Sequence, residues 1–361
     1  MKIIVIGAGI IGASFAHHLT REGAQVVLLD KGRPGGATSG ATAAHLNYFK
    51  KDPDAYARLH LDGIAYWKEL TDAIGASQHL HMDGELFWAD SGQGWDQLAQ
   101  RQERALRFGQ QARRLTLADL EPGLQPALPG APYWVAGHGW VEVVPVIERL
   151  IAAARGRGLQ AHFHTPATAI ARDAAGRWQV RAGDQDFHAD QVVLAVGPDS
   201  AELGELLGLR LPVVRKPGVI AVSAPVAVAL PQIVFTPGFT FRTDGGGRVL
   251  MGLGQHYSPV SLQWTPETRT ALTAQLQDKL AAWLPDARGV EIEALRIGVR
   301  PVPADGLPLV GPVPGHDGLY LAATHSGICL APLLGQLAAR ELVGGRSEAV
   351  LDAYRPARLI G

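Results

Sequence analysis

The sequence predicts an interleaved α/β fold, in which a parallel-sheet domain is interrupted twice by a mostly antiparallel β layer. Three observations predict it. An apolar strand runs into a glycine-rich turn and a helix at the amino terminus, tryptophans gather among glycines and prolines between Gly84 and Val143, and a glycine-punctuated strand and helix return in the final third.

Lys2 to Ile6 is apolar without alternation, as expected of a strand buried on both faces. Residues 12–22 place Ala13, Ala16 and Leu19 toward one side of a helix, and Gln25 to Leu29 supplies a second buried strand. Residues 33–42 are rich in Gly, Ser and Thr, which predicts a loop leading to a helix start near Ser39. A helix follows from Asp54 to Ile74. Strands resume at Gln160–Phe163, Trp178–Arg181 and Gln191–Val196, the last ending in Gly197. Between 213 and 257 short strands alternate with Pro/Gly turns, and Asp244-Gly245-Gly246-Gly247 suits a hairpin tip. Thr265 to Leu284 reads as an amphipathic helix, Leu319–Ala323 as a strand and Ala331–Val343 as a last helix. The resulting division is 1–80, 141–212 and 296–361 for one domain, and 81–140 and 213–295 for the other.

With 361 residues, 47% apolar and 19% charged, the chain has the composition of a globular enzyme and can bury a substantial core. A net charge of -1 argues against a nucleic-acid partner, since little would neutralise a run of phosphates. The basic stretch from Arg101 to Arg114 is broken by acids and glutamines, as on a solvated helix face. Cys329 is the one cysteine, which excludes an internal disulfide and any multi-cysteine metal or iron–sulfur site, and it suits a reducing cytoplasm. No apolar run reaches the roughly 20 residues of a spanning helix. The apolar start ending near Ala16 mimics a secretory signal, but its glycines are spaced for another purpose.

Gly7-Ala8-Gly9-Ile10-Ile11-Gly12 fits G-x-G-x-x-G and lies where the motif has meaning, after a strand and opening a helix. Gly7 permits the tight turn, Gly9 lets the backbone approach a pyrophosphate, and Gly12 allows close helix–strand packing. Amides at the helix start are expected to face the phosphates. Asp30, with Lys31 beside it, ends the second strand where a carboxylate can accept from both ribose hydroxyls. The plainer alternative is a glycine-rich turn with no ligand, and the motif alone does not separate NAD from FAD.

Further segments carry a resemblance. Thr38-Ser39-Gly40-Ala41-Thr42-Ala43-Ala44-His45, the strand Asp190 to Gly197 containing Ala195, and Pro166-Ala167-Thr168 are joined by three carboxyl-terminal runs. Those runs are Gly298 to Pro301, Asp305 to Gly311, and His325-Ser326-Gly327-Ile328-Cys329-Leu330-Ala331-Pro332. In this order and spacing the sequence resembles the D-amino-acid oxidase superfamily, especially its glycine oxidase and sarcosine oxidase branch, over nearly the whole chain. The resemblance implies a Rossmann-type FAD-binding domain interleaved with a mostly antiparallel β substrate domain, and non-covalent FAD. It implies that the backbone of Ala167 meets the adenine, that small residues around Ser39, Ala43 and Ala44 lie beside the cofactor, and that His325 through Leu330 approach the pyrimidine end of the flavin. Arg300, close to the cofactor, matches the arginine that relatives use to hold the substrate carboxylate; its alternative is a structural ion pair with Asp305 or Glu293.

The pattern is also departed from. Where glycine oxidases carry a substrate-contacting tyrosine, this chain aligns Thr240 or Phe241, and it lacks their second arginine before the last helix. The approximate counterpart of the oxygen-activating lysine of sarcosine oxidases is Leu250, so the electron acceptor, O2 or another, stays open. Substrate contacts are expected from Arg300, His325, Thr240 and Gln255, with His45, His256 and Tyr257 as further pocket groups. The resemblance implies an enzyme that oxidises the C–N bond of an amino acid or N-substituted amino acid by hydride transfer to flavin N5. Alternatives are a flavin-carrying subunit of a heteromeric amine or opine oxidase, a dehydrogenase serving an acceptor other than oxygen, and an NAD-dependent dehydrogenase. The oligomeric state is open.

Overall fold

Strand Lys2–Ile6 is central to the first sheet of the computed structural model, which describes residues 1–253 and 265–360. It pairs in parallel with Gln25–Leu29 on one side and Gln191–Leu194 on the other. The full order is 309–312, 319–323, 191–194, 2–6, 25–29 and 160–162, with an antiparallel edge at Leu309–Pro312. The helices, in chain order, are α1 (Ile10–Arg21), α2 (Asp54–Ala73), α3 (Gly92–Arg107), α4 (Val143–Arg155), α5 (Ser200–Glu205), α6 (Pro266–Trp283) and α7 (Gly327–Gly344). Ile3 and Val5 pack with the apolar faces of α1, α4 and α7, whereas Ile4 and Ile6 pack against a three-stranded antiparallel sheet of residues 167–172, 178–182 and 185–189. Both faces are covered, which is the physical reason the strand is apolar throughout.

The second large sheet has eight strands in the order 292–303, 213–225, 248–253, 239–243, 233–236, 85–87, 133–135 and 112–114. It is antiparallel except where Ile233–Thr236 runs parallel to Glu85–Phe87. Helix α6 covers it with Leu276, Leu280 and Trp283 against Phe239, Phe241 and Met251. The hairpin tip lies at Asp244 to Gly247, as expected, with Asp244 Oδ1 accepting from Gly246 and Arg248 amides. No helix among the described residues is long and apolar enough to cross a membrane.

Three expectations are corrected. No helix starts near Ser39, where there is only a single 3-10 turn, Thr38–Gly40. The run from 213 is one strand of 13 residues, Val213–Pro225. Pro217 is tolerated because residues 213–219 pair only with the edge strand Ile292–Pro303, so its missing N–H faces no partner. The last helix begins at Gly327 rather than Ala331, even though Pro332 removes a helical donor. The carbonyl that Pro332 leaves unpaired, that of Ile328, accepts from Trp67 Nε1 of α2 at 3.0 Å.

Helix α1 also buries two histidines in the core. His17 and His18 are 1% and 2% exposed, and His17 Nδ1 and His18 Nε2 have no hydrogen-bond partner. Burial lowers their pKa values to about 4 and about 3, helped for both by Arg21 and Arg157 and for His18 by His17. An unfolded histidine titrates near pH 6.5, so below that pH the unfolded chain binds protons that the folded chain refuses. The stabilisation is complete above about pH 6.5 and declines as pH falls toward 4, by up to ~2.7 kcal/mol per pH unit for two protons. Urea denaturation midpoints are therefore expected to drop steadily between pH 6.5 and 4.5; midpoints that stay level over that interval would contradict this account.

Candidate active site

A cavity of about 1100 Å³ opens beyond the carboxyl ends of the parallel strands, between the six-stranded and eight-stranded sheets. Ile6, Gly7, Asp30, Ala195 and Thr324, which end or follow four of those strands, all line it. This is the crevice in which open α/β sheets receive ligands.

At one end the fingerprint turn is held by backbone geometry. Gly7 has φ 106°, its amide donates to Leu29 O at 2.7 Å, and a side chain there would meet Ala195 O at 2.4 Å. Asp30 accepts from the amides of Ala8 at 2.5 Å and Gly32 at 2.7 Å, one on each oxygen, so each oxygen keeps a lone pair for a hydroxyl. Ser39 Oγ accepts from the Ile10 amide at 3.1 Å, which caps α1 from a distant segment. One amide expected to face a phosphate is therefore taken by the protein. Thr38 Oγ1 donates to Val299 O at 2.5 Å, tying the same segment to the edge strand of the other sheet. Lys31 pairs with Asp199 at 2.5 Å, and Arg215 holds both Asp199 and Glu202.

At the other end α7 points its amino terminus into the cavity through Ser326, Gly327 and Ile328. Ser326 Oγ accepts from Tyr56 Oη at 2.8 Å and Lys51 Nζ at 3.2 Å. Burial lowers the pKa of His325 to about 4, with Lys51, Arg300 and Lys216 adding repulsion. Burial likewise lowers that of His45 to about 3, and its Nε2 is buried without a partner. Both imidazoles are neutral at pH 7. Cys329 donates to His45 O at 3.2 Å and accepts from the Asn47 amide at 3.4 Å. Burial pushes its thiol up to about 11, so it is a packed, protonated group.

Arg300 is partly buried in the cavity wall, where its Nε and one terminal nitrogen make long 3.4 Å contacts to Lys216 O and Pro217 O. The structural ion pairs considered for it do not form. Asp305 is held by Arg358 at 2.6 Å and Glu293 by Arg248 at 2.9 Å. Among the described residues no carboxylate lies within ion-pair distance of Arg300.

A family model described as FAD dependent oxidoreductase matches residues 2–341. The chain belongs to this family of FAD-dependent oxidoreductases. A glycine oxidase from Pseudomonas aeruginosa is 30% identical over 375 residues, covering 99% of this chain and 98% of that protein. An opine oxidase subunit from Agrobacterium tumefaciens is 25% identical, covering 99% of this chain and 97% of that protein. The crystal structure of glycine oxidase from Geobacillus kaustophilus matches the fold with a TM-score of 0.89, at 26% identity and with 100% of both chains covered. FAD is thus the cofactor, and the oxidoreductase is an enzyme.

The cavity fits that cofactor: a glycine turn and a carboxylate with lone pairs to spare stand at one end, and a helix amino terminus stands at the other. Of the residues the sequence singles out, Gly7, Gly9, Ile10, Ile11, Asp30, Lys31, Thr38, Ser39, Ala43, Ala44 and His45 line it, as do Ala167, Ala195, Gly197, Arg300 and His325 to Cys329. Ala8, Gly12 and Leu330 do not line it; Gly12 packs against Gly7 O and Leu330 is fully buried. Thr240 is displaced by one strand, since its cross-strand partner Gly252 is the residue in the wall. Gln255, His256 and Tyr257 lie outside the described residues. Lys51, Asn47 and Ile220 line the cavity although no sequence motif points to them.

Proposed function

We propose that this oxidoreductase oxidises the C–N bond of an amino acid or N-substituted amino acid whose carboxylate is held by Arg300. The observation that supports the reading is the guanidinium of Arg300, which has no carboxylate partner among the described residues and lines the same cavity as Gly7, Gly9 and Asp30. Bound FAD supplies the hydride acceptor. Asp30 would serve the ribose, Gly9 and Ser39 the pyrophosphate, and the α7 amino terminus the flavin ring. The six-stranded half would then carry the cofactor and the eight-stranded sheet the substrate. An amine that binds as the free base keeps its lone pair and needs no charged base, which agrees with neutral His45 and His325. The imine product is hydrolysed by water. FAD is held without a covalent bond, a reading supported by the protonated state of Cys329. Relatives named as oxidases favour oxygen as electron acceptor, and the protonated lone thiol suits a cytoplasmic setting.

Anaerobic addition of glycine, sarcosine or a D-amino acid is expected to bleach the visible flavin band of the purified protein. A flavin that stays oxidised across a broad panel of carboxylated amines would sink the reading. The similarity to the opine oxidase subunit favours a second reading, a flavin-carrying component of a larger assembly. Slow steady-state turnover by the isolated chain despite fast flavin reduction would select it.

A further inference from the structure

The charges of the cavity are segregated. Its carboxylates, Asp30, Asp199 and Glu202, stand at the end of the fingerprint turn and are engaged by backbone amides, Lys31 and Arg215. At the α7 end stand Arg300 and Lys51, and among the described residues neither has a carboxylate within ion-pair distance. Lys216, directly across the ladder from Arg300, adds a like charge, an arrangement that costs stability until an anion joins it. Lys51 bonds Ser326, and Arg300, His325 and Ser326 line the same cavity, so both cations border one space.

Lys51 is also positioned with care. Its amide donates to Tyr48 O at 3.0 Å, and its carbonyl accepts from Arg104 at 2.6 Å. The acids nearest in sequence, Asp52 and Asp54, are drawn away by Arg104, each at 2.8 Å. Glu85, buried behind Asn47, is occupied by His138 at 2.9 Å. The ammonium therefore faces the cavity with Ser326 Oγ as its one hydrogen-bond partner among the described residues.

We infer that the substrate is an amine bearing two carboxylates, one held by Arg300 and the other, on an N-carboxyalkyl arm, held by Lys51. This rests on the amine oxidation proposed above and specifies its substrate class. Burial holds the Lys51 pKa below that of a free lysine, against a weaker pull from Cys329 and Glu85, so an anion brought to its ammonium offsets that desolvation and contributes binding that a monocarboxylate amine lacks.

The test uses the FAD-loaded protein and anaerobic flavin reduction by N-methylglycine compared with N-carboxymethyl-, N-(2-carboxyethyl)- and N-(3-carboxypropyl)glycine. At least one dicarboxylate is expected to reduce the flavin with tenfold or greater efficiency over N-methylglycine, chiefly through tighter binding. Lys51→Gln should erase most of that preference, Lys51→Arg should retain part of it, and the flavin midpoint potential should stay put. In the unaltered protein, thiodiacetate should perturb the flavin spectrum at tenfold lower concentration than (methylthio)acetate, which tests the site without any turnover. Equal treatment of mono- and dicarboxylates would overturn the inference. So would a Lys51→Gln variant that weakens both alike and shifts the potential, since Lys51 would then serve the flavin. If no amine reduces the flavin while thiodiacetate still binds preferentially, the two-anion site stands and the proposed reaction falls.

Discussion

Arg300→Ala is expected to lower kcat/KM for carboxylated amines by two to three powers of ten, with FAD still bound in full. The guanidinium has five donors, and two of them make only long 3.4 Å contacts to backbone carbonyls, so most of its capacity is free for a ligand. Removing one partner of a desolvated charge pair costs about 3–4 kcal/mol, and each 1.4 kcal/mol is a factor of ten. Among the described residues no side chain hydrogen-bonds or pairs with Arg300, and Asp305 and Glu293 have their own arginines. The fold should therefore tolerate the loss, and the flavin spectrum with its protein ratio checks this. Arg300→Lys keeps the charge but loses the planar fork, so its deficit should fall between those of the parent and the alanine variant. Loss of flavin from the alanine variant would make Arg300 a structural residue, and unchanged kinetics would remove it from the substrate site.

The cofactor end is legible in the sequence because its requirements are local. A glycine-rich turn, a buried strand on each side and an acid about twenty residues on can be read within one strand–helix–strand unit, and Gly7, Gly9 and Asp30 line the cavity together. The substrate end depends on partners far apart in the chain. Lys51 lines the cavity because Arg104 holds its carbonyl from 53 positions away and Ser326 receives its ammonium from 275 positions away. Nothing in the run Phe49 to Pro53 announces that. Which of two neighbouring strands forms a wall likewise depends on how the sheet packs, and here the wall includes Gly252 rather than its cross-strand partner Thr240. Helix α4 is missing from the sequence expectations although its signal is present, since Val143, Val146, Ile147, Leu150, Ile151 and Ala154 recur at helical spacing and are all buried. Its position after the tryptophan-rich layer masks it. The early start of α7 is hidden differently, because Pro332 marks a helix start by local rules and only the distant Trp67 makes an earlier start tolerable.

Gly12→Ala is expected to yield protein that purifies without flavin and unfolds at markedly lower temperature. A β-carbon at Gly12 would lie 1.7 Å from Gly7 O and 2.9 Å from Gly7 C, and both obstacles are backbone. Neither can swing aside as a side chain would. Gly7 is itself fixed, because its amide bonds Leu29 O and its φ of 106° leaves no nearby alternative for the turn. The strain must then be relieved by moving α1 away from the strand Lys2–Ile6, which opens contacts to α4 and α7 and pulls Ile10 off Ser39. Overpacking costs typically ~1–3 kcal/mol where side chains can yield, and a backbone clash at this separation should sit at or above that range. Gly344→Ala supplies the control, since a β-carbon there meets nothing within 4 Å and α7 ends at that residue. Flavin-to-protein ratio and melting temperature should be near those of the parent for Gly344→Ala and far below them for Gly12→Ala. Full flavin content in the Gly12 variant would mean that the close approach of helix to turn is not what shapes the pyrophosphate site.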